Sequence, residues 1–250
     1  MIHDVGAIVA SSIATIILLH GAAQVFVPKT MLQMYQAPQG KLNTHLYSVM
    51  GTVSVSLGVA ALCLLFSWTN FATSTGYALV PWVVVAATNI LSGKGNEVGY
   101  PLSNDVAPLL LGVFVCASSL AGLDFAENAA KFVGYFILLN GATLVITPDK
   151  HANAWGAELS VIKEKEPIVT MSLRALGLYL LSLGTFVTSA GIGYTATQAF
   201  GVAWVWATMM SLLPLFSKEM KGRFNVYHMV WYVPHIIVLG TTIFSAWHFR

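Results

Sequence analysis

The side chains able to do chemistry in this chain are few, and three of them are histidines set in apolar runs. His228 and His235 stand seven residues apart in the stretch 225–247, on one helical face, with Trp231 between them and Tyr227 and Tyr232 alongside. His20 lies in the first apolar stretch. Counted inward along a helix at about 1.5 Å per residue, His228 lies just inside a membrane, His20 about 10 Å deep and His235 about 15 Å deep. Imidazoles in such a setting can act as axial ligands to a haem or another tetrapyrrole such as chlorophyll. No spacing motif pairs one with another, so the plainer reading is packed or interfacial histidines with satisfied nitrogens. The sequence requires no cofactor.

Two further groups invite a ligand. Asn140 precedes Gly141-Ala142 as His20 precedes Gly21-Ala22, which places two hydrogen-bonding side chains at matched depth. They read as one helix-to-helix hydrogen bond each or, more sharply, as a pair facing a shared cavity. Arg174 follows Pro167 by one or two helical turns, close enough to an interface to snorkel and to pair with Glu158 or Glu166. A structural ion pair or lipid-headgroup contact is the simple reading, and a clamp for a small anion the sharper one.

Most enzyme classes lack their parts here. No Ser/His/Asp order, paired intramembrane carboxylates or His/Cys ligand cluster can be assembled, and Asp105, Asp124 and Glu127 sit around the ends of apolar stretches. No GxGxxG, P-loop, HExxH or CxxC pattern occurs. No catalytic residue or metal ligand is therefore assigned, and a non-enzymatic role is expected. A Lys deep in the last apolar stretch, as a retinal protein needs, is missing too. The formal charge of +2 is too small to suggest nucleic-acid binding. Cys63 and Cys116 lie inside apolar runs and read as packing residues.

The elements that must hold these groups are membrane helices. The chain is 56% hydrophobic and 9% charged, against roughly a quarter charged in a soluble domain. Eight stretches approach the length of about 20 residues that a span needs: 6–27, 45–67, 76–92, 106–122, 131–147, 168–190, 195–216 and 225–247. The third and fourth carry Pro81 and Pro108, which membrane helices tolerate. Met1 to Asp4 lacks the basic start of a secretory signal, so the first stretch reads as a span. Cationic residues test the count, because they gather on the cytoplasmic or equivalent side. With eight spans one side receives Lys29, Lys41, Lys94, Lys150, Lys163, Lys165, Arg174, Lys218, Lys221 and Arg223. The other receives Lys131 and Arg250, ten and two making the chain's 12. Both termini then lie on the non-cytoplasmic side.

The chain also repeats itself. Leu18 to Pro28, LLHGAAQVFVP, returns at Leu138 to Pro148 as LLNGATLVITP, identical at 6 of 11 positions. Gly51, Ser56, Leu57 and Gly58 align with Gly177, Ser182, Leu183 and Gly184; Val80, Trp82 and Val83 align with Val202, Trp204 and Val205. The reading is an all-α polytopic bundle of two four-helix repeats, 1–124 and 125–250, parallel because four spans return the chain to its starting side. The glycines, seven apart on one face, should let helices approach closely. Asn89, aligned with Ser211, should make an interhelical hydrogen bond. The loops after Pro28 and Pro148 should carry interfacial helices with their apolar side in lipid. The run Lys163-Glu164-Lys165-Glu166 should be a solvated turn, with Pro167 starting the next helix.

In the second half Asn140-Gly141, Pro148, Trp155-Gly156 and Arg174-Ala175-Leu176-Gly177 follow in an order that resembles the DoxX-like group of four-helix membrane domains. The first half departs from it, with Ser48 in place of the Arg and no Trp-Gly after Pro28. The resemblance implies a four-helix bundle per half. Some relatives associate with quinone or thiol redox systems, but no cysteine pair here supports that. The expected role is an accessory subunit of a membrane assembly, or a binder of lipid or another apolar small molecule. Its partners would be membrane lipid and other membrane subunits. The alternatives are a haem- or pigment-binding protein using His20, His228 or His235, and a small-anion carrier using Arg174. The span count makes a direct prediction: single cysteines placed at residues 2 and 249 should be labelled by a membrane-impermeant maleimide from the same side, and opposite sides would refute it.

Overall fold

In the computed structural model of the protein, which describes residues 5–34, 40–93, 102–154, 159–216 and 240, the ordered elements are all helices. They are α1 (Val5–Phe26), α2 (Pro28–Met34), α3 (Lys41–Leu65), α4 (Phe71–Ser92), α5 (Ser103–Leu120), α6 (Ala126–Ile146), α7 (Pro148–Ala154), α8 (Leu159–Gly191) and α9 (Ala196–Phe216). Five are long and apolar enough to cross a membrane: α1, α3, α4, α6 and the Thr170–Gly191 part of α8. The apolar part of α5, Asp105–Leu120, is shorter. The protein is a polytopic helical membrane bundle. The eighth stretch, 225–247, lies outside the described residues apart from Gly240.

Local chemistry sets the helix ends. Asn70 accepts the Thr73 N–H at 2.8 Å and caps α4, which Gly93 closes with φ +67°. At α9 the backbone N–H of Gln198 bonds Thr195 Oγ1 while Gln198 Oε1 accepts the Thr195 N–H, a reciprocal capping box. Pro28 and Pro148 each open a seven-residue helix, because proline lacks only an N–H that the first turn leaves unpaired.

Two expectations are corrected. Pro167 does not start a helix: α8 begins at Leu159 and carries the Lys163 to Glu166 run within it. A proline inside a helix forfeits one N–H bond and can kink the helix without ending it. On α2, Met31 and Leu32 are buried in the protein rather than lying in lipid, while Met34 is exposed together with Lys29, Thr30 and Gln33. The short helix folds back on α1 and α3, so its apolar side has a protein surface to cover.

α3 and α8 form the centre, with 61% and 72% of their apolar stretches buried, against 28% for α1 and 39% for α4 and α6. The principal packing pairs are α1–α3, α6–α8, α4–α5, α3–α4, α8–α9 and α3–α8; α4 also meets α6 and α8, and α9 meets α1 and α3. α2 lies on α1 and α3, and α7 on α6 and α8. Exchanging α1 with α6, α2 with α7, α3 with α8 and α4 with α9 converts each of these contacts into another of the set, α5 aside.

The closest contacts are made backbone to backbone. A Cβ on Gly21 would meet Ser54 Cβ at 2.6 Å and Gly51 O at 2.7 Å, and one on Gly51 would meet Gln24 Cβ at 2.6 Å. In the other pair a Cβ on Gly141 would meet Leu181 N at 2.7 Å and Gly177 O at 2.8 Å, and one on Gly177 would meet Leu144 Cβ at 3.0 Å. Gly58 abuts Leu18 as Gly184 abuts Leu138. Substituting valine at Gly51 or Gly177 should therefore destabilise by about 1–3 kcal/mol or more. Gly40→Ser, with nothing within 4 Å of its Cβ, should be neutral in thermal unfolding of the detergent-solubilised protein.

Candidate functional site

Polar side chains that cross between helices are rare here, and two sets lie where α3 meets α8. Near the start of both helices Ser172 Oγ donates to Asn43 Oδ1 at 2.5 Å, both residues being buried. Deeper in, α1 contributes Gln24, α3 Ser54 and α8 Tyr179. Gln24 is 1% exposed, and its Nε2 donates to the Tyr179 hydroxyl at 3.5 Å. Tyr179 also bonds Ser54, and Ser54 Oγ donates to the Met50 carbonyl at 3.1 Å within α3. The open end of this chain is Gln24 Oε1, which is buried and accepts no hydrogen bond.

The fold brings these residues together through the glycine crossings. Gln24 stands over Gly51 and Ser54 over Gly21, so the missing side chains let the polar ones reach past α3 to α8. The aligned positions of the other helix pair carry Leu144 over Gly177 and Leu180 over Gly141. Val53 aligns with Tyr179, and Leu144, Leu180 and Val53 are all buried. One packing arrangement is thus filled once by a hydrogen-bonded chain and once by aliphatic side chains.

Of the groups singled out from the sequence, His20 is half-buried on α1, a helix packed chiefly on α3. Asn140 Nδ2 donates to the Phe136 carbonyl at 2.8 Å within its own helix α6, so that donor does not cross to a neighbour. Arg174 is exposed on α8. His228, His235 and Glu158 lie outside the described residues, as does the side chain of Glu166. Asn89 does make an interhelical bond, from Nδ2 to Asp105 Oδ1 at 3.5 Å. Asp105, in the first turn of α5, is buried. Outside the spans, burial holds the imidazole of His151 on α7 below its ordinary range. Among the described residues no group of three or more His, Cys, Asp or Glu side chains could hold a metal ion.

Sequence reasoning missed Gln24, Ser54 and Tyr179. The signal was present: within the repeated stretch Gln24 is a long polar side chain aligned with Leu144. Comparison with known proteins finds no match to this chain, whether among family models, curated proteins or solved structures.

The geometry yields a mutant cycle. Tyr179→Phe should cost about 1–3 kcal/mol by leaving the buried Gln24 amide without its partner. Gln24→Leu, near in volume and present in the other helix pair, should be neutral or stabilising. The double variant should recover most of the Tyr179→Phe loss when chemical denaturation is followed in micelles.

Proposed function

We propose that this chain is a non-enzymatic integral membrane protein, built as two parallel four-helix repeats with eight spans, that binds a lipid or another apolar small molecule between its halves. The repeat is supported by the matched glycine crossings and by the packing pairs that exchange into one another. It is supported further by the proline-led seven-residue helices that follow α1 and α6. A bundle of this kind per half is also what the resemblance of the second half to DoxX-like domains implies. α8 carries the Arg174 to Gly177 motif, and Gly177 sits at the helix crossing.

The observation that carries the binding role is the pair of buried side-chain hydrogen bonds that reach the α3–α8 seam, Ser172 with Asn43 and Gln24 with Tyr179. Helix bundles build ligand sites from side chains on facing core helices, and polar groups in lipid mark function by default because they are costly there. Packing by itself does not ask for them, since Leu144, Leu180 and Val53 serve at the aligned positions. The exposed apolar faces of α1, α4 and α6 are what lipid contact demands. They would serve equally in an accessory subunit of a larger assembly.

Native mass spectrometry of protein released gently from membranes tests the role. An apolar small molecule should remain bound after bulk lipid is stripped, and its readdition to delipidated protein should raise the melting temperature. Protein that retains and responds to nothing would favour the accessory-subunit reading. A visible Soret-type band would favour a tetrapyrrole held by His20 and residues of the 225–247 stretch.

A further inference from the structure

The open end of the Gln24–Tyr179–Ser54 chain specifies what a ligand must offer. Two donors of the chain have a fixed direction: Gln24 Nε2 gives to Tyr179, and Ser54 gives to the Met50 carbonyl. What remains is the Gln24 Oε1 acceptor, buried and without a donor. In an apolar interior an amide oxygen left in this condition is strongly disfavoured. The contact beside it, at 3.5 Å, is at the long limit of a hydrogen bond. A group inserted there meets an acceptor at Gln24 and a phenol oxygen at Tyr179.

We infer that Gln24 and Tyr179 form the headgroup site for a lipid-soluble alcohol, whose hydroxyl donates to Gln24 Oε1, while its hydrocarbon lies among the apolar side chains of α1, α3 and α8. This rests on the ligand-binding role proposed above and narrows it to one chemistry. An ether or an alkane of the same length cannot supply the missing donor. α1 is the least enclosed of the five spans, and Gln24 stands on it. A buried water could supply the same donor. Water has no hydrocarbon tail, so only the alcohol makes binding depend on both the hydroxyl and the chain.

The test uses the full chain in nanodiscs and three matched probes, dodecan-1-ol, 1-methoxydodecane and dodecane, with affinity read by tryptophan fluorescence and by ligand-induced shift of the melting temperature. The alcohol should bind about five- to tenfold more tightly than the ether. Gln24→Leu should abolish that preference, alcohol and ether then binding with equal affinity. Because Leu occupies the aligned position 144, this variant is expected to fold; Tyr179→Phe provides the second, which should reduce the preference in part. Equal binding of alcohol and ether by the wild type, the outcome if water fills the site, would overturn the inference. So would a preference that survives Gln24→Leu. Either result leaves the broader binding role standing if a molecule still copurifies with the protein, and that role fails separately if nothing copurifies.

Discussion

Two helix crossings at which backbones touch hold the rest of the molecule in place. In lipid, burying apolar side chains gives helices little reason to associate, because the hydrocarbon around them is equally apolar. Association then depends on close van der Waals contact, and Gly21 with Gly51, and Gly141 with Gly177, bring α1 onto α3 and α6 onto α8 with no side chain between. Both crossings use the central helices, so α3 and α8 are each fixed on one side and free to meet each other on another. The short helices α2 and α7 follow at once, since a proline immediately after α1 and α6 turns the chain back onto the pair just formed.

The same absence of water governs the polar side chains. Many serine and threonine hydroxyls in the bundle bond the carbonyl three or four residues back, as Thr15 does to Ser11, Thr52 to Ser48, Thr75 to Phe71 and Ser182 to Leu178. Such bonds satisfy the hydroxyl locally and say nothing about which helix lies alongside. Bonds that cross between helices do: Asn43 with Ser172, Gln24 with Tyr179, Asn89 with Asp105 and Trp206 with Thr185. These bonds join the elements as well as satisfying polar atoms. The α3–α8 seam holds the first of them and the far end of the second, and it is where the two glycine-crossed pairs come together.

Much of this architecture is legible in the sequence because it depends on residue types that have few other uses in lipid. Gly51, Gly58, Gly177 and Gly184 recur at a helical spacing, and the structure puts each against a partner backbone or Cβ. Composition gives the membrane class, and the runs 6–27, 45–67, 76–92, 131–147 and 168–190 each fall on a helix long and apolar enough to cross a membrane. The α8 start is hidden because Pro167 and the charged run before it are local signals for a turn, whereas the helix runs through them. The inward face of α2 is hidden because seven residues cannot show whether Met31 and Leu32 meet lipid or protein. The polar chain is hidden for a different reason. Gln24, Ser54 and Tyr179 are distant in sequence and each is unremarkable alone; only the crossing of three helices makes them neighbours.

Two matched crossings in one chain also separate packing from chemistry at these positions. A polar side chain in a membrane core ordinarily admits two explanations, that the packing needs its shape or that something needs its hydrogen bonds. Here the shape is required twice, over Gly51 and over Gly177, and is met once by Gln24 and once by Leu144. Over Gly21 and Gly141 it is met by Ser54 and Leu180. Leucine therefore fills the space without burying an amide, whose unpaired oxygen costs on the order of 1–3 kcal/mol by protein mutational data. Shape leaves Gln24 unexplained, and so does helix register, because the glycine contacts fix register in both pairs. What remains is the hydrogen-bonding capacity itself, which the protein satisfies at Nε2 and leaves open at Oε1.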